Sequence, residues 1–471
     1  MNYDVLVVGG GIIGCSVAYE LSKYNLNIAL IEKDYDIADD ISFVNTSVVY
    51  DGSETSDTVM SSLEKIGSYL IEEACEKFNV PYNKIGAIRI ADSDRGVLEL
   101  ENMYDKARSR GIDKVHLIEA NDVYDIEPAL NKDISIKKAL YSENVAIIAP
   151  YDLAIAYAEV AADNGVNFRF EEEVIEIKNI SKGFKVTTNK NKFTCRVVIN
   201  TIPNDVYMES KNNNRIELIN DKIIHKNMNY LLLDDNVKNK LNKIVINTLN
   251  EHTFVLNIPN ISGGAIVGIK TSTALSIEEG IDYANLLLPE VDHSNLSNIF
   301  NEVYKKDSML IDDTDIDKGY IRVTGTHYGK ITLAPAIAQT ISDAIAQNMK
   351  TTLKKNFVDK RRDFYRFRDM SKKERNEIIS LDKRYGNIIC VCNDVSEGEI
   401  VDCIRRPLGA RTVEGIKRRT GAGLGSCHGS YCVRKIINIL AREMDKKPTE
   451  IVEDSKNSKV LIGRIKEFNE V

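Results

Sequence analysis

Tryptophan is absent from the 471 residues, and all aromatic residues together make up only 7%. Basic residues are also short: 62 Lys and Arg face 70 Asp and Glu, a formal charge of −8. A chain that coats nucleic acid needs a basic face with aromatic stacking platforms, so nucleic acid is not an expected partner. No uncharged apolar run approaches the roughly 20 residues that span a bilayer, and Met1-Asn2-Tyr3-Asp4 leads straight into a strand-like segment. Neither an integral membrane segment nor a secretory leader is expected. Eight cysteines are too few and too unevenly spread to scaffold a chain of this length, and five of them lie in the last 82 residues. That asymmetry implies a cytoplasmic protein with a local metal or redox site near its C-terminus. The length suggests roughly three domains of about 150 residues.

The chain opens as a βαβ unit. Tyr3 to Val8 is a short β-branched run, Ile12 to Tyr24 has helical periodicity, and Ile28 to Ile31 is a second apolar strand. Between the first two lies Gly9-x-Gly11-x-x-Gly14. There the first glycine permits a tight turn, the second lets backbone amides approach a pyrophosphate, and the third lets helix and strand pack closely. The helix N-terminus adds its partial positive charge. Glu32 ends the second strand, 18 residues beyond Gly14, where an acid can accept hydrogen bonds from ribose hydroxyls. FAD and NAD share this fingerprint, and it does not separate them.

Amphipathic helices are predicted at 57–80 and 97–111, and antiparallel sheet from the alternating runs between Asn167 and Asn200, at Tyr230 to Leu233 and at Ala265 to Gly268. Pro335 to Gln347 reads as a buried helix. Lys354 to Glu377 carries ten Lys or Arg against five Asp or Glu and is expected to be a linker or surface helix with a solvated face. After Tyr385-Gly386 a compact unit holds Cys390-x-Cys392 and, 34 residues later, Cys427-x-x-x-x-Cys432. Four thiols arriving in two pairs suit zinc or an iron-sulfur cluster. The glycines of Gly421-Ala-Gly-Leu-Gly-Ser-Cys427 allow backbone amides to point at bridging sulfides without Cβ obstruction. Cys403 reads as a small buried hydrophobe.

Ala18, Leu21 and Glu32-Lys33, with the fingerprint at the N-terminus, resemble the start of FAD-dependent enzymes of the D-amino-acid oxidase and glycerol-3-phosphate dehydrogenase superfamily. The resemblance continues through Ala139 to Leu153, around Val174 and in Ala334 to Ala338. The stretch bearing Gly398-Glu-Ile, Gly415-Ile-Lys-Arg-Arg-Thr420 and Gly425-x-Cys427-x-Gly429-x-x-Cys432 closely resembles the bacterioferritin-associated-ferredoxin-like [2Fe-2S] domain. These resemblances imply an α/β fold: a Rossmann-like FAD-binding domain (1–75, 140–205 and 315–350), an inserted antiparallel α+β substrate domain (76–139 and 206–314), a linker (351–385), a small helical iron-sulfur domain (386–446) and a tail (447–471).

The resemblance also implies site residues. FAD would be held by Gly9, Gly11, Gly14, Glu32, Lys33, Asn45, Val174, Lys330, Ile331 and Thr332, with Val174 presenting backbone to the adenine and Lys330 placing a cation at the flavin N1/C2 edge. The cluster ligands would be Cys390, Cys392, Cys427 and Cys432. Tyr50 stands where relatives carry a histidine, and Ile202-Pro203 replaces a small residue and glycine. The segment between Leu288 and Arg322 is too short for the family's substrate-binding arginine motif. Arg322 and His327 are the candidates for anion binding and proton transfer. The implied activity is a dehydrogenase for a small-molecule substrate, glycerol 3-phosphate first, passing electrons from flavin through the cluster to an acceptor protein or second flavoprotein subunit. A 2-hydroxy acid or amino acid dehydrogenase, and an electron-transfer or scaffold subunit with a degenerate substrate site, are the competing readings.

Overall fold

The computed structural model describes residues 2–38, 47–202 and 226–463, apart from 235, 239, 251–252, 262, 305–307 and 426. Asn45 and Pro203 lie outside the described residues. Strand β1 (Tyr3–Val8), helix α1 (Ile12–Ser22) and strand β2 (Ile28–Ile31) form the predicted unit, with β1 and β2 parallel and Val5 opposite Ile28. The parallel ladder continues on both sides. Asn167–Arg169 lies beyond β2, Lys192–Asn200 lies beside β1, and Tyr320–Thr326 follows beside Val198–Asn200. Strand β2 is buried on both faces, which is why it reads as an unbroken apolar run. Val5, Val7, Leu30 and Ile199 face α1, helix α2 (Thr58–Phe78), helix α3 (Pro150–Asp163) and helix α4 (Lys330–Met349). Leu6, Val8, Ile31 and Val198 face the hairpin formed by Val174–Ile180 and Gly183–Thr188.

The expectation of a wholly antiparallel arrangement over 167–200 is corrected here. Only the hairpin strands and their junction with Lys192–Cys195 run antiparallel; the outer segments join the parallel ladder. Alternation cannot distinguish these cases, because the second half of Lys192–Asn200 has helices over one face and the hairpin over the other.

A second eight-stranded sheet runs in the order 296–304, 226–233, 265–271, 254–259, 244–248, 87–91, 138–142, 115–118. Its junctions are antiparallel except that between Ile244–Thr248 and Ala87–Ala91. One face packs under the helix Ile277–Leu287; the other meets Val48, Tyr50 and Tyr328. Helix α2 begins with the Asp57 carboxylate accepting from the Met60 N–H, and it crosses α4 so closely that a methyl on Gly67 would lie 1.8 Å from the Thr332 carbonyl oxygen.

The C-terminal unit has its own core, with helices Glu397–Arg405, Val413–Thr420 and Val433–Glu443 around Ile400, Ile416, Ile436 and Leu440. The first starts at a capping box between Ser396 and Glu399. The described start of the expected tail, 447–463, packs on this unit: Ile451 and Val452 are buried, and Val452 and Glu453 accept backbone hydrogen bonds from Val413 and Glu414. The predicted surface helix with a solvated face is found over 372–377, on a helix with no buried residue, and is corrected over 359–366, where Asp359, Arg361, Arg362 and Arg366 find partners on the first domain. Asp359 takes the Tyr19 hydroxyl at 2.7 Å and Lys77 at 2.6 Å, and Arg366 meets Asp152 at 2.6 Å.

The unit docks through buried ion pairs. Arg419 donates to both carboxylate oxygens of Asp36 at 2.5 and 2.7 Å. Glu159 lies between Arg361 at 2.8 Å and Arg406 at 2.7 Å. Burial opposes charge on Glu159, but the hydrogen bonds and charges of Arg406 and Arg361 prevail and hold its carboxyl below the usual range. Its contribution is therefore full at neutral pH and is lost only as the pH falls through the ordinary carboxylate range to that depressed value. Glu159→Ala, which leaves two buried arginines facing each other, should cost about 3–5 kcal/mol in urea unfolding of the full chain at pH 7. A loss below about 1 kcal/mol would contradict this docking.

Candidate functional sites

At the end of β1, Gly9 has φ +102°, a conformation that side chains resist, and Gly11 is the N-cap of α1. A methyl on Gly14 would lie 1.9 Å from the Gly9 carbonyl oxygen. The first turn of α1 holds no acid and no side-chain cap, so its amides keep their capacity for an anion. Glu32 accepts the Gly10 N–H at 2.6 Å and the Asp34 N–H at 3.0 Å. Burial pushes its carboxyl up, against those hydrogen bonds. Lys33 beside it is exposed, while Val174 is buried against β1 and β2. Thr201, which sequence reading missed, donates to the Val8 carbonyl and stands over Gly9.

A second group of residues meets between the two sheets. The Tyr50 N–H donates to Thr332 Oγ1 at 3.0 Å, tying the strand after the nucleotide loop to the start of α4. The Tyr50 ring meets Tyr328 edge-on at 5.0 Å, and His327 stacks on Tyr328 at 4.2 Å. His327 Nδ1 accepts the Gly329 N–H at 3.0 Å, so the neutral imidazole carries its proton on Nε2. Ile331 and Thr332 are buried, and Lys330 is half-buried at the first position of α4. Arg322 is not brought to this group by any described hydrogen bond or ion pair: its guanidinium pairs with Asp312 at 3.1 Å on the neighbouring strand. Arg89 does approach it. Its cation faces Tyr328 and Tyr50, pairs with Glu54 at 2.7 Å and donates to Thr248 at 3.0 Å. An isolated arginine in an apolar strand was the only sequence signal for it.

The four cysteines of the C-terminal unit converge as two contacts across the segments, Cys390 with Cys432 and Cys392 with Cys427. Among the described residues no three His, Cys, Asp or Glu close on one metal ion. Two thiol pairs match the needs of two irons, each taking two thiolates. Cys390 and Cys432 are buried, Cys427 is half-buried and Cys392 exposed. Burial, with Cys390 adding, pushes the Cys432 thiol up to about 11; Cys392 and the amides of Tyr431, Gly429 and Ser430 hold Cys427 down. Those amides supply the donors that a sulfur-rich anion needs. A methyl on Gly425 would collide with Cys392 at 2.3 Å. Cys403 is buried and donates to the Ile400 carbonyl, away from this set.

Residues 4–344 match the family model described as FAD dependent oxidoreductase, and residues 388–442 match the BFD-like [2Fe-2S] binding domain. The chain belongs to the FAD-dependent oxidoreductase family. Its cofactors are FAD and a [2Fe-2S] cluster, and it is an oxidoreductase. It is 33% identical to a glycerol 3-phosphate dehydrogenase of Caloramator mitchellensis over 98% of this chain and 99% of that one. A mitochondrial L-2-hydroxyglutarate dehydrogenase of Nematostella vectensis is 26% identical over 42% of this chain and 46% of its own. Among solved structures, dithionite-reduced, FAD-bound L-alpha-glycerophosphate oxidase of Mycoplasma pneumoniae superposes with TM-score 0.64 at 21% identity, covering 76% of this chain and 98% of that one. Among the described residues no helix is long and apolar enough to cross a membrane.

Two variants test these sites. Gly14→Ala should purify with flavin largely lost, measured as bound FAD per chain; full flavin content would refute the cradle. Cys427→Ser should lose iron and acid-labile sulfide while keeping flavin, and unchanged iron would refute the ligand set.

Proposed function

We propose that this chain oxidises a small alcohol bearing an anionic group, glycerol 3-phosphate first, and passes the electrons through its C-terminal unit to a separate acceptor. The observation that carries this reading is the match to the Caloramator dehydrogenase over 98% of the chain, since the uncovered remainder is far shorter than either cofactor unit. Bound FAD supplies a two-electron acceptor able to pass electrons on singly, which is the step a [2Fe-2S] cluster requires.

In this reading Gly9, Gly11 and Gly14 receive the pyrophosphate, Glu32 the ribose, Val174 the adenine edge and Lys33 the flank of that cradle; Asn45, the further FAD-binding candidate, lies outside the described residues. Lys330, Ile331 and Thr332, at the start of α4, meet the flavin ring. The second sheet is the substrate-side domain, roofing Tyr50 and Tyr328. The Tyr50 hydroxyl orients the reacting alcohol in place of the family histidine. His327 holds Tyr328 and the α4 start, and its Nε2 proton makes it a donor; Arg322, occupied by Asp312, acts as a structural partner. Electrons leave on the Cys392 side of the cluster, the exposed one, toward a one-electron acceptor.

The narrower match to L-2-hydroxyglutarate dehydrogenases favours a second reading, with a 2-hydroxy acid as substrate. Anaerobic titration separates the two. Absorbance at about 450 nm, where oxidised flavin absorbs, should bleach with sn-glycerol 3-phosphate and not with L-2-hydroxyglutarate or glycerol. Bleaching by the hydroxy acid alone would select the second reading, and silence with every substrate would refute both.

A further inference from the structure

We infer that Arg89 is the receptor for the substrate's anionic group, with Glu54 as the built-in counter-charge that the anion displaces. This deepens the dehydrogenase reading and rests on it. The alternation of the strand Ala87–Ala91 puts Arg89 on the same face as Ala87, the face that packs toward Val48, Tyr50 and Tyr328, while Ile88 and Ile90 point to the opposite core. An arginine is costly there unless its charge has a purpose, because a guanidinium in an apolar strand must be compensated.

The compensation is partial. Glu54 takes Nη2 at 2.7 Å and Thr248 takes Nη1 at 3.0 Å, but among the described residues the buried Nε has no acceptor. The guanidinium offers a planar fork of donors suited to two oxygens of a phosphate or carboxylate, and a buried N–H without an acceptor favours arrival of one. The Arg89 and Glu54 side chains are 15% and 7% exposed, so an anion held there would be shielded from water. Arg322, the other candidate, likewise pairs with an acid, Asp312, and likewise has a buried Nε without an acceptor, but among the described residues no hydrogen bond or ion pair joins it to the Tyr50 group, whereas the Arg89 cation faces Tyr50 and Tyr328. The shared ligand chemistry is therefore an oxyanion on a short carbon chain: the phosphate of a glycerol phosphate or the distal carboxylate of a hydroxy acid.

Inorganic phosphate is the probe for binding, followed by perturbation of the flavin spectrum in the full-length holoprotein, with no turnover required. Arg89→Gln should weaken phosphate binding and raise KM for sn-glycerol 3-phosphate by about 10–100-fold, the loss expected for a charge-assisted contact, with a smaller effect on kcat. Arg89→Lys should recover part of the affinity. Glu54→Gln should tighten phosphate binding, since it removes the competing carboxylate; a purely structural ion pair would instead weaken binding equally in both variants, and that result overturns the inference. Unchanged phosphate affinity in a folded, flavin-replete Arg89→Gln protein also overturns it. L-2-Hydroxyglutarate run in parallel tells phosphate from carboxylate recognition. A parent protein that oxidises no alcohol yet binds phosphate through Arg89 would sink the dehydrogenase reading and keep this site. Turnover of sn-glycerol 3-phosphate with an Arg89-independent KM would do the reverse.

Discussion

A single methyl group at Gly14 would occupy the space of the Gly9 carbonyl. This contact sets how far α1 stands from the end of β1, and thus where the amides at the helix start point. The rest of the first domain is built outward from it. Helix α4 packs on α1 and on α2, and the crossing with α2 is again a bare backbone contact, Gly67 against Thr332. Thr332 in turn takes the Tyr50 N–H, so the nucleotide end and the Tyr50 end of the domain are joined through three helices. Close backbone approach is a short-range constraint with steep repulsion, which is why it transmits position without much loss.

The cluster unit follows a different principle. Its core is separate, and it is attached mainly by charge: Arg419 with Asp36, and Glu159 between Arg361 and Arg406. Buried ion pairs contribute little net stability, but a wrong pairing is expensive, so they specify one docked arrangement among many. Asp36 lies four residues beyond Glu32, and Ala38 in the same loop donates to the Gly10 carbonyl. The docking surface and the nucleotide cradle are therefore parts of one loop. The basic segment works the same way over 361–366, since Arg361, Arg362 and Arg366 end on acids of α3 rather than in solvent.

The glycine fingerprint, the acid after the second strand and the two cysteine pairs were readable because each depends on spacing within a short stretch. Local geometry fixes φ and helix phase before any tertiary contact forms, whereas the thiols of the two cysteine segments meet only across the fold, Cys390 with Cys432 and Cys392 with Cys427. Strand direction in 167–200 was not readable, because alternation reports burial and not the partner. The fates of Arg322 and Arg89 were not readable either: one meets an acid on an adjacent strand, the other an acid 35 residues away in sequence. Charge composition predicted a solvated 354–377, since composition cannot tell a free arginine from one with an acid waiting across a domain boundary.

From its residues alone this protein is a carrier of FAD and an iron-sulfur cluster, because the glycine fingerprint and the cysteine spacing that imply the two cofactors are each encoded within a few dozen residues. What surrounds Tyr50 and Tyr328 was decided by the tertiary structure: the second sheet brings Arg89 to Glu54, Tyr50 and Tyr328, the turn before α4 brings His327, and α4 brings Thr332. Those contacts join residues up to about 280 positions apart, and pairings at such separation are set by packing of whole elements, where the energy of no single residue type selects the partner.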